Sequence, residues 1–233
     1  MGERPVVLVA GASRGLGLEL VRQFADRGWR VIGTARDVTR APELIRLQGE
    51  RPDRIAIKAL DLTAPESIAA LKAELSGERL DVLYINAGIM GPTHHDPTRI
   101  TDGEFDGLML TNALAPIRLA TALLGKLRDE KSVVVFMTSQ LGSILENDTG
   151  GYDLYRASKA ALNSLTRSFV ARLQPPRPTV LSLHPGWVKT DMGGASAPLD
   201  APTSVAGMLD MVERARGAGG HRFLDYQGRE IPW

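Results

Sequence analysis

The sequence predicts an α/β fold, a doubly wound, mostly parallel seven-stranded sheet with helices on both faces. Short, almost purely apolar runs alternate with longer amphipathic stretches along the chain. Apolar strands separated by helices form parallel sheets that are covered on both faces, and right-handed crossovers wind such a sheet in both directions. The length of 233 residues provides one substantial core and is short for two domains. We therefore expect a single domain over residues 1–233.

Each predicted strand is an apolar run of the length that buried strands adopt. The first reads Val-Val-Leu-Val-Ala, and the fifth contains Val-Val-Val-Phe-Met. The seven predicted strands are residues 6–10, 29–35, 54–60, 80–85, 132–138, 179–184 and 222–225.

The predicted helices carry apolar residues at helical spacing. Leu16, Leu20 and Phe24 share one face of the first helix, and Pro175 with Pro176 ends the fourth. Residues from about 190 to 203 are rich in Gly, Ala, Ser and Pro, and we expect a mobile substrate loop there. The predicted helices are residues 16–27, 65–76, 104–128, 152–173 and 201–216.

Composition argues against several classes of function. The formal net charge is +1 and no long run of like charge occurs, so nothing favours binding to nucleic acid or to a membrane surface. The absence of cysteine excludes disulfides and thiolate chemistry. The apolar run 6–10 is too short for a signal-peptide core or a membrane span. We therefore expect a cytoplasmic protein.

Three glycines follow the first strand and open the first helix. Gly11, Gly15 and Gly17 permit a tight turn whose backbone N–H groups can approach a pyrophosphate, and the helix N-terminus adds partial positive charge. Their spacing, G-x-x-x-G-x-G, differs from the commoner G-x-G-x-x-G, and a plain strand-to-helix turn is the alternative. The position predicts a Rossmann dinucleotide site in which the loop residues Ser13 and Leu16 also contact the cofactor.

The end of the second strand decides which cofactor is preferred. An acid there would bind the ribose 2′-hydroxyl and repel a 2′-phosphate, but Ala35 occupies that position. Arg36 follows and Arg14 lies in the glycine loop, so two guanidiniums can clamp a 2′-phosphate. NADP(H) is therefore favoured over NAD(H). Asp37 argues against this preference, since a shift of one residue in the turn would place a carboxylate at the ribose.

A tyrosine and a lysine share one face of the fourth predicted helix. Tyr155 and Lys159 are four residues apart. A free tyrosine has a pKa of about 10, and a neighbouring ammonium is expected to lower it. The phenol could then protonate a carbonyl oxygen or deprotonate an alcohol.

Further polar groups fall on the same edge of the predicted sheet. Ser139 comes just after the fifth strand, and Asn112 lies within the long third helix. Ligands of parallel sheets bind at the carboxyl ends of the strands, so these groups are expected to meet Tyr155. The turns that close strands four and six on this edge are Asn86-Ala87-Gly88 and Pro185-Gly186.

These residues stand in the order that is typical of the short-chain dehydrogenase/reductase superfamily, which the chain resembles from Val6 to about Met192. Residues 155–163, 184–192 and 225–233 are similar to the C-factor/sniffer-type carbonyl reductases, a branch associated with signalling as well as carbonyl reduction. One departure is Ala10, where the family often has threonine.

The resemblance implies catalytic roles for four residues. Tyr155 would be the general acid/base, and Lys159 would lower its pKa and hold the nicotinamide ribose. Ser139 would orient the substrate, and Asn112 would hold a water in a proton relay.

The resemblance also implies contacts to the cofactor. Asp61, with Leu62 beside it, would contact the adenine, and Asn86 would line the adenosine side. Val188 and Thr190 would meet the nicotinamide carboxamide. A homodimer or homotetramer is implied as well, with helices 104–128 and 152–173 as its faces. The second carries small residues for close approach, together with a leucine: Ala157, Ala160, Ala161 and Leu162.

The substrate pocket is expected to be open and to admit fairly small or planar carbonyls. Trp187 is compatible both with stacking near the nicotinamide and with filling the core. We expect no metal, because the adjacent His94 and His95 lack the spacing of a ligand pair. The pocket residues predicted are Gln140, Leu141, Glu146 and Trp187.

The sequence thus predicts an NADP(H)-dependent oxidoreductase that reduces an aldehyde or ketone, or oxidises the corresponding alcohol. The alternative is a nucleotide-binding signalling or sensor protein whose output is a partner contact, since Rossmann folds also host functions without catalysis.

Overall fold

The computed structural model describes residues 4–233, which form one seven-stranded sheet in the order β3-β2-β1-β4-β5-β6-β7. Every neighbouring pair is parallel, so the sheet is parallel throughout. The order reverses between β1 and β4, the place where such sheets bind ligands. The strands are β1 (Val6–Ala10), β2 (Arg30–Ala35), β3 (Ile55–Ala59), β4 (Val82–Ile85), β5 (Val133–Met137), β6 (Thr179–His184) and β7 (His221–Asp225).

Helices cover both faces of the sheet and divide the core into two apolar clusters. One cluster joins the sheet to α1, α2 and α7 and includes Phe24 and Met208. The other joins it to α3, α5 and α6 and includes Leu119 and Phe169. The doubly wound fold is thereby confirmed. The α-helices are α1 (Gly15–Asp26), α2 (Pro42–Glu50), α3 (Pro65–Glu74), α4 (Asp102–Met109), α5 (Ala115–Leu123), α6 (Asp153–Arg172) and α7 (Ala201–Ala215).

The helix α2 is absent from the sequence prediction, which placed no element between the second and third strands. Its nine residues bury only Leu44 and Leu47, too few positions for a helical period to stand out from the polar surroundings. Pro42 at its first turn is the one local signal of its start.

The single helix predicted over 104–128 is a continuous helical run, Asp102–Lys126, whose hydrogen-bonding pattern changes in the middle. A capping box between Thr101 and Glu104 starts α4, and a π-helical turn, Leu110–Leu114, separates α4 from α5. By length and composition the run Asp102–Lys126 could span a membrane, but half of its most apolar window is buried inside the fold. The π turn contains Asn112 and so affects the site directly.

Only part of the proposed association face of α6 is exposed to solvent. Ala157 is exposed and Ala160 and Ala161 are half-buried. Leu162 is 1% exposed and packs inside the subunit, so the prediction that it lies on an association face is wrong.

Candidate active site

Helix α6 carries a buried tyrosine and a buried lysine at the carboxyl edge of the sheet. Tyr155 is 8% exposed and Lys159 is 3% exposed. The Lys159 Nζ lies 5.7 Å from the centre of the Tyr155 ring and donates a hydrogen bond to the Met137 carbonyl at 3.0 Å. A lysine has three donors, so this ammonium retains capacity for a ligand.

Burial dominates the electrostatics of this pair. It raises the pKa of Tyr155 to about 12, and a hydrogen bond with Ser139 opposes that rise. Burial also lowers the pKa of Lys159 to about 8. Burial therefore raises the pKa of Tyr155 in the protein alone, opposite in direction to the lowering expected from the ammonium.

Ser139 is the second residue after β5 and lies beside Tyr155. Its hydroxyl accepts from the Leu141 N–H at 3.1 Å and caps a 3₁₀ turn, Gln140–Gly142. That turn packs tightly on α6, since a β-carbon at Gly142 would lie 2.9 Å from the Lys159 carbonyl carbon. A glycine is needed for this approach, and the sequence analysis missed it.

The buried Asn112 connects the loop after β4 to α6. Its amide oxygen accepts from the Ile89 N–H at 2.8 Å, and its amide nitrogen donates to the Ile89 carbonyl at 2.8 Å. The nitrogen also donates to Ser158 Oγ at 3.0 Å, and Ser158 donates to the Tyr155 carbonyl at 2.8 Å. Sequence reasoning missed Ser158, although it stands beside Lys159.

Gly88 completes this part of the site. A β-carbon there would lie 3.3 Å from Asn112 Oδ1 and 3.4 Å from Lys159 Nζ. The structure therefore brings the loop after β4, the π turn and α6 to one point, as the strand-end argument predicted.

The glycine loop forms a tight cradle at the start of α1. Gly11 has a φ of +87°, and a β-carbon at Gly17 would lie 1.9 Å from the Gly11 carbonyl oxygen. Asn86 donates its side-chain amide to that same carbonyl at 2.7 Å, while Ala87 packs directly against Gly11. Asn86 thus shapes the cradle.

This cradle fits a pyrophosphate. No side chain caps the first turn of α1, and no acidic residue lies in it, so its N–H groups and its partial positive charge are available to an anion. Ser13 and Leu16 are half-buried in the loop. A β-carbon at Gly15 would lie 3.7 Å from Thr190 Cγ2, which brings the segment after β6 to the same cradle.

The two arginines predicted to clamp a 2′-phosphate are both exposed but engage different partners. Arg14 pairs with Asp191 at 3.1 Å. Arg36 lies near Asp61 and helps to lower the pKa of that carboxyl. Asp37 turns its carboxylate to Thr39, accepting from the backbone N–H at 2.9 Å and the hydroxyl at 2.6 Å. That local use of Asp37 weakens the case for a ribose-binding acid.

Asp61 and Leu62, the predicted adenine contacts, lie just beyond the end of β3. Leu62 is 5% exposed. The Asp61 carboxylate accepts from the Thr63 N–H at 2.9 Å and from the Thr63 hydroxyl at 2.7 Å. The hydrogen bond from the hydroxyl, and after it the one from the N–H, hold the pKa of Asp61 below its usual value.

The first residues of the segment after β6 are held in place by a hydrogen bond and by packing. The Pro185 carbonyl accepts from Ser204 Oγ at 2.6 Å, and Gly186 packs against Leu199. The buried Val188 forms a parallel bridge with Leu199. Since α7 begins at Ala201, the loop predicted to run to 203 ends earlier.

Two of the predicted substrate residues, Gln140 and Trp187, line one cavity. Gln140 donates its side-chain amide to the Glu146 carboxylate at 2.7 Å, and Leu141 is half-buried. Trp187 is 57% exposed, which rules out core filling, and its indole donates to the Gly193 carbonyl at 2.8 Å. Exposed apolar residues that the sequence analysis did not single out are Ile144, Leu145 and Met192.

Comparisons with known proteins agree with this architecture. Residues 5–199 match the family model described as short chain dehydrogenase. The C-signal protein of Myxococcus xanthus is 42% identical over 158 residues, which cover 66% of this chain and 93% of that protein.

Solved structures are similar over nearly the whole chain. A protein of Burkholderia multivorans with bound NADP, assigned to the short-chain dehydrogenases/reductases, has a TM-score of 0.96 and 41% identity, covering 99% of this chain and 100% of its own. The carbonyl reductase Sniffer of D. melanogaster has a TM-score of 0.89 and 35% identity, with the same coverage. The resemblance inferred from sequence is thereby confirmed. The chain belongs to the short-chain dehydrogenase/reductase family of oxidoreductases, with carbonyl reductases among its relatives.

Proposed function

We propose that this protein is an NADP(H)-dependent oxidoreductase that reduces an aldehyde or ketone, or oxidises the corresponding alcohol. The observation that carries the proposal is the buried set at the carboxyl edge of the sheet. There Lys159 has unused donors, Tyr155 lies beside it, and Ser139 hydrogen-bonds the phenol. The glycine cradle at the same edge fits a dinucleotide.

The cofactor would be held from three sides. The cradle formed by Gly11, Gly15 and Gly17 would bind the pyrophosphate, and Arg36 the 2′-phosphate. The residues near the nicotinamide and its ribose would be Lys159, Val188, Thr190 and the Pro185-Gly186 turn, and those near the adenosine would be Asp61, Leu62, Asn86, Ala87 and Gly88. When bound, the nicotinamide supplies or accepts the hydride.

Tyr155 would supply the proton. A pKa of about 12 keeps the phenol protonated at neutral pH, which is the form that donates to a carbonyl oxygen. As the carbon is reduced, the proton moves from Tyr155 to the substrate oxygen, and the phenolate left behind is stabilised by the ammonium of Lys159. Ser139 would hold the substrate oxygen, and Asn112 would position a water that returns the proton.

The test is consumption of NADPH, with NADH in parallel, against a panel of aldehydes, ketones, dicarbonyls and quinones. We expect turnover with NADPH and little with NADH. Equal turnover with both cofactors would support an oxidoreductase and contradict the proposal that an arginine selects NADPH through its 2′-phosphate. No turnover across the panel would contradict the proposal of a broadly open pocket.

The second candidate function is signalling through a partner contact, and the similarity to the C-signal protein supports it. A nucleotide sensor needs neither a buried lysine nor a tyrosine at the ligand edge, so the site supports the enzyme. Tyr155→Phe separates the two, because it removes turnover in an enzyme and leaves the biological output of a sensor. We also propose a cytoplasmic homodimer or homotetramer, which sedimentation would test.

A further inference from the structure

A polar cavity of about 220 Å³ lies at the carboxyl end of β6, against Gln140. We call it the distal pocket. This volume is well above the minimum that one water needs, so the cavity has room for a small polar group of a ligand. Its lining includes Gln140, His184, Trp187, Asp225, Tyr226 and Arg229.

The distal pocket is one strand away from Ser139. His184 ends β6, and the residue before it, Leu183, accepts a hydrogen bond at 2.9 Å from the N–H of Thr138, the residue that follows β5. Gln140, which follows Ser139 directly, lines the pocket wall. A substrate whose carbonyl oxygen meets Ser139 could therefore extend a second group into this pocket.

His184 contributes an unsatisfied nitrogen. Its Nδ1 is buried and has no hydrogen-bond partner among residues 4–233. A buried polar atom without a partner is costly, and a ligand group or water that reaches it would relieve that cost. Burial, countered by Asp225 and reinforced by Arg229, lowers the pKa of His184 to about 4, so the ring is neutral at physiological pH.

Arg229 contributes unused donors. The Asp225 carboxylate accepts from the N–H groups of Gln227 and Arg229, both at 2.9 Å, and from Arg229 Nε at 2.6 Å. That carboxylate is thus satisfied, whereas the guanidinium uses only Nε within the described residues. Its terminal nitrogens remain able to bind a planar anion.

We propose that the distal pocket binds a carboxylate carried by the substrate, with Arg229 as the specificity-determining residue and His184 as a further contact. The inference rests on the proposed function, because it names the class of substrate as carbonyl compounds that bear a carboxylate.

The test compares para-carboxybenzaldehyde with its uncharged analogue, methyl para-formylbenzoate. Calorimetry measures the affinity of the full-length protein for each in the presence of NADP⁺, and NADPH oxidation is measured separately. The variants are Arg229→Gln and Arg229→Lys. Arg214→Gln, an exposed arginine on α7, is the matched control.

We expect the wild type to bind the acid about fivefold more tightly than the ester, the size expected for a charge-assisted contact to a largely exposed guanidinium. Arg229→Gln should remove this preference, Arg229→Lys should retain part of it, and Arg214→Gln all of it. Equal affinities in the wild type, or a preference that survives Arg229→Gln, would overturn the inference. Preferential binding without NADPH oxidation would support the pocket and contradict the proposed function.

Discussion

The two edges of the sheet each bury a charged group, but they satisfy it differently. At the amino edge Asp81 is 4% exposed, and its carboxylate accepts from the Val6 N–H at 2.9 Å, from Arg128 at 3.2 Å and from Arg216 at 2.8 Å. At the carboxyl edge Lys159 is equally buried, yet its one hydrogen bond among residues 4–233 is to a neutral carbonyl.

This difference separates a structural charge from a functional one. A buried charge surrounded by its counter-ions holds elements together, and removing one partner is strongly destabilising. A buried charge without a counter-ion costs stability, and such exceptions are expected where a protein binds a ligand or carries out chemistry. Four predictions test the contrast.

The largest effect is expected at the carboxyl edge, from Tyr155→Phe. Loss of the phenolic proton should reduce kcat/KM for NADPH-dependent carbonyl reduction by about 10³-fold, the scale of general acid catalysis. NADPH affinity and the unfolding midpoint should stay close to the wild-type values. Steady-state kinetics and NADPH titration are the measurements, with Tyr152→Phe as control because Tyr152 is half-exposed. Retained turnover in Tyr155→Phe would assign the proton transfer elsewhere.

The next effect is expected at the amino edge, from Asp81→Asn. This change leaves Arg128 and Arg216 without their shared carboxylate and should lower the free energy of unfolding by about 3 kcal/mol. Denaturant unfolding measures it, and kcat/KM of the folded protein should be unchanged. Asp53→Asn, at an exposed ion pair with Arg4, should change stability by less than about 0.5 kcal/mol. If both variants lost the same stability, Asp81 would not be the structural charge we describe.

A smaller effect is expected from Arg36→Ala. Loss of the guanidinium should raise KM for NADPH about tenfold and leave KM for NADH unchanged, because only NADPH carries the 2′-phosphate. Arg14→Ala should raise KM for NADPH by a smaller factor, since Arg14 already pairs with Asp191. Arg40→Ala, at an exposed arginine nearby, is the control. An equal change for both cofactors would remove Arg36 from the specificity argument.

The strands were predicted closely because buried parallel strands are nearly continuous apolar runs. The first and sixth agree with the structure to the residue. Helix α2 was missed because Leu44 and Leu47 are its only buried residues. The π turn at Leu110–Leu114 depends on tertiary packing, and the pattern of apolar residues carries no signal for it.

The sequence predicted which residues form the candidate site better than it predicted their pKa values. The spacing of Tyr155 and Lys159 places them on one helix face, but it says nothing about how deeply either is buried, and burial decides the direction of both pKa shifts. The Arg14–Asp191 pair joins residues that are distant in sequence, and the unsatisfied His184 nitrogen depends on how the surrounding chain packs, so neither could be anticipated.

Lys159→Met tests the contrast between the two edges most directly. Replacing an uncompensated buried ammonium by an apolar side chain of similar length should raise the free energy of unfolding at neutral pH while abolishing NADPH-dependent turnover. In the wild type the folded pKa of about 8 lies below the usual lysine value of 10.5, so the unfolded chain binds more protons between those values. Wild-type stability should therefore rise with pH, and the advantage of the variant should shrink by about 2 kcal/mol between pH values of about 7.5 and 9.5.

The measurement is the free energy of unfolding of both proteins at those two pH values, with turnover assayed on the same samples. The account predicts a variant that is more stable, inactive and less pH-dependent than the wild type. A variant that is less stable at neutral pH and still oxidises NADPH would contradict the central claim that Lys159 is buried for function.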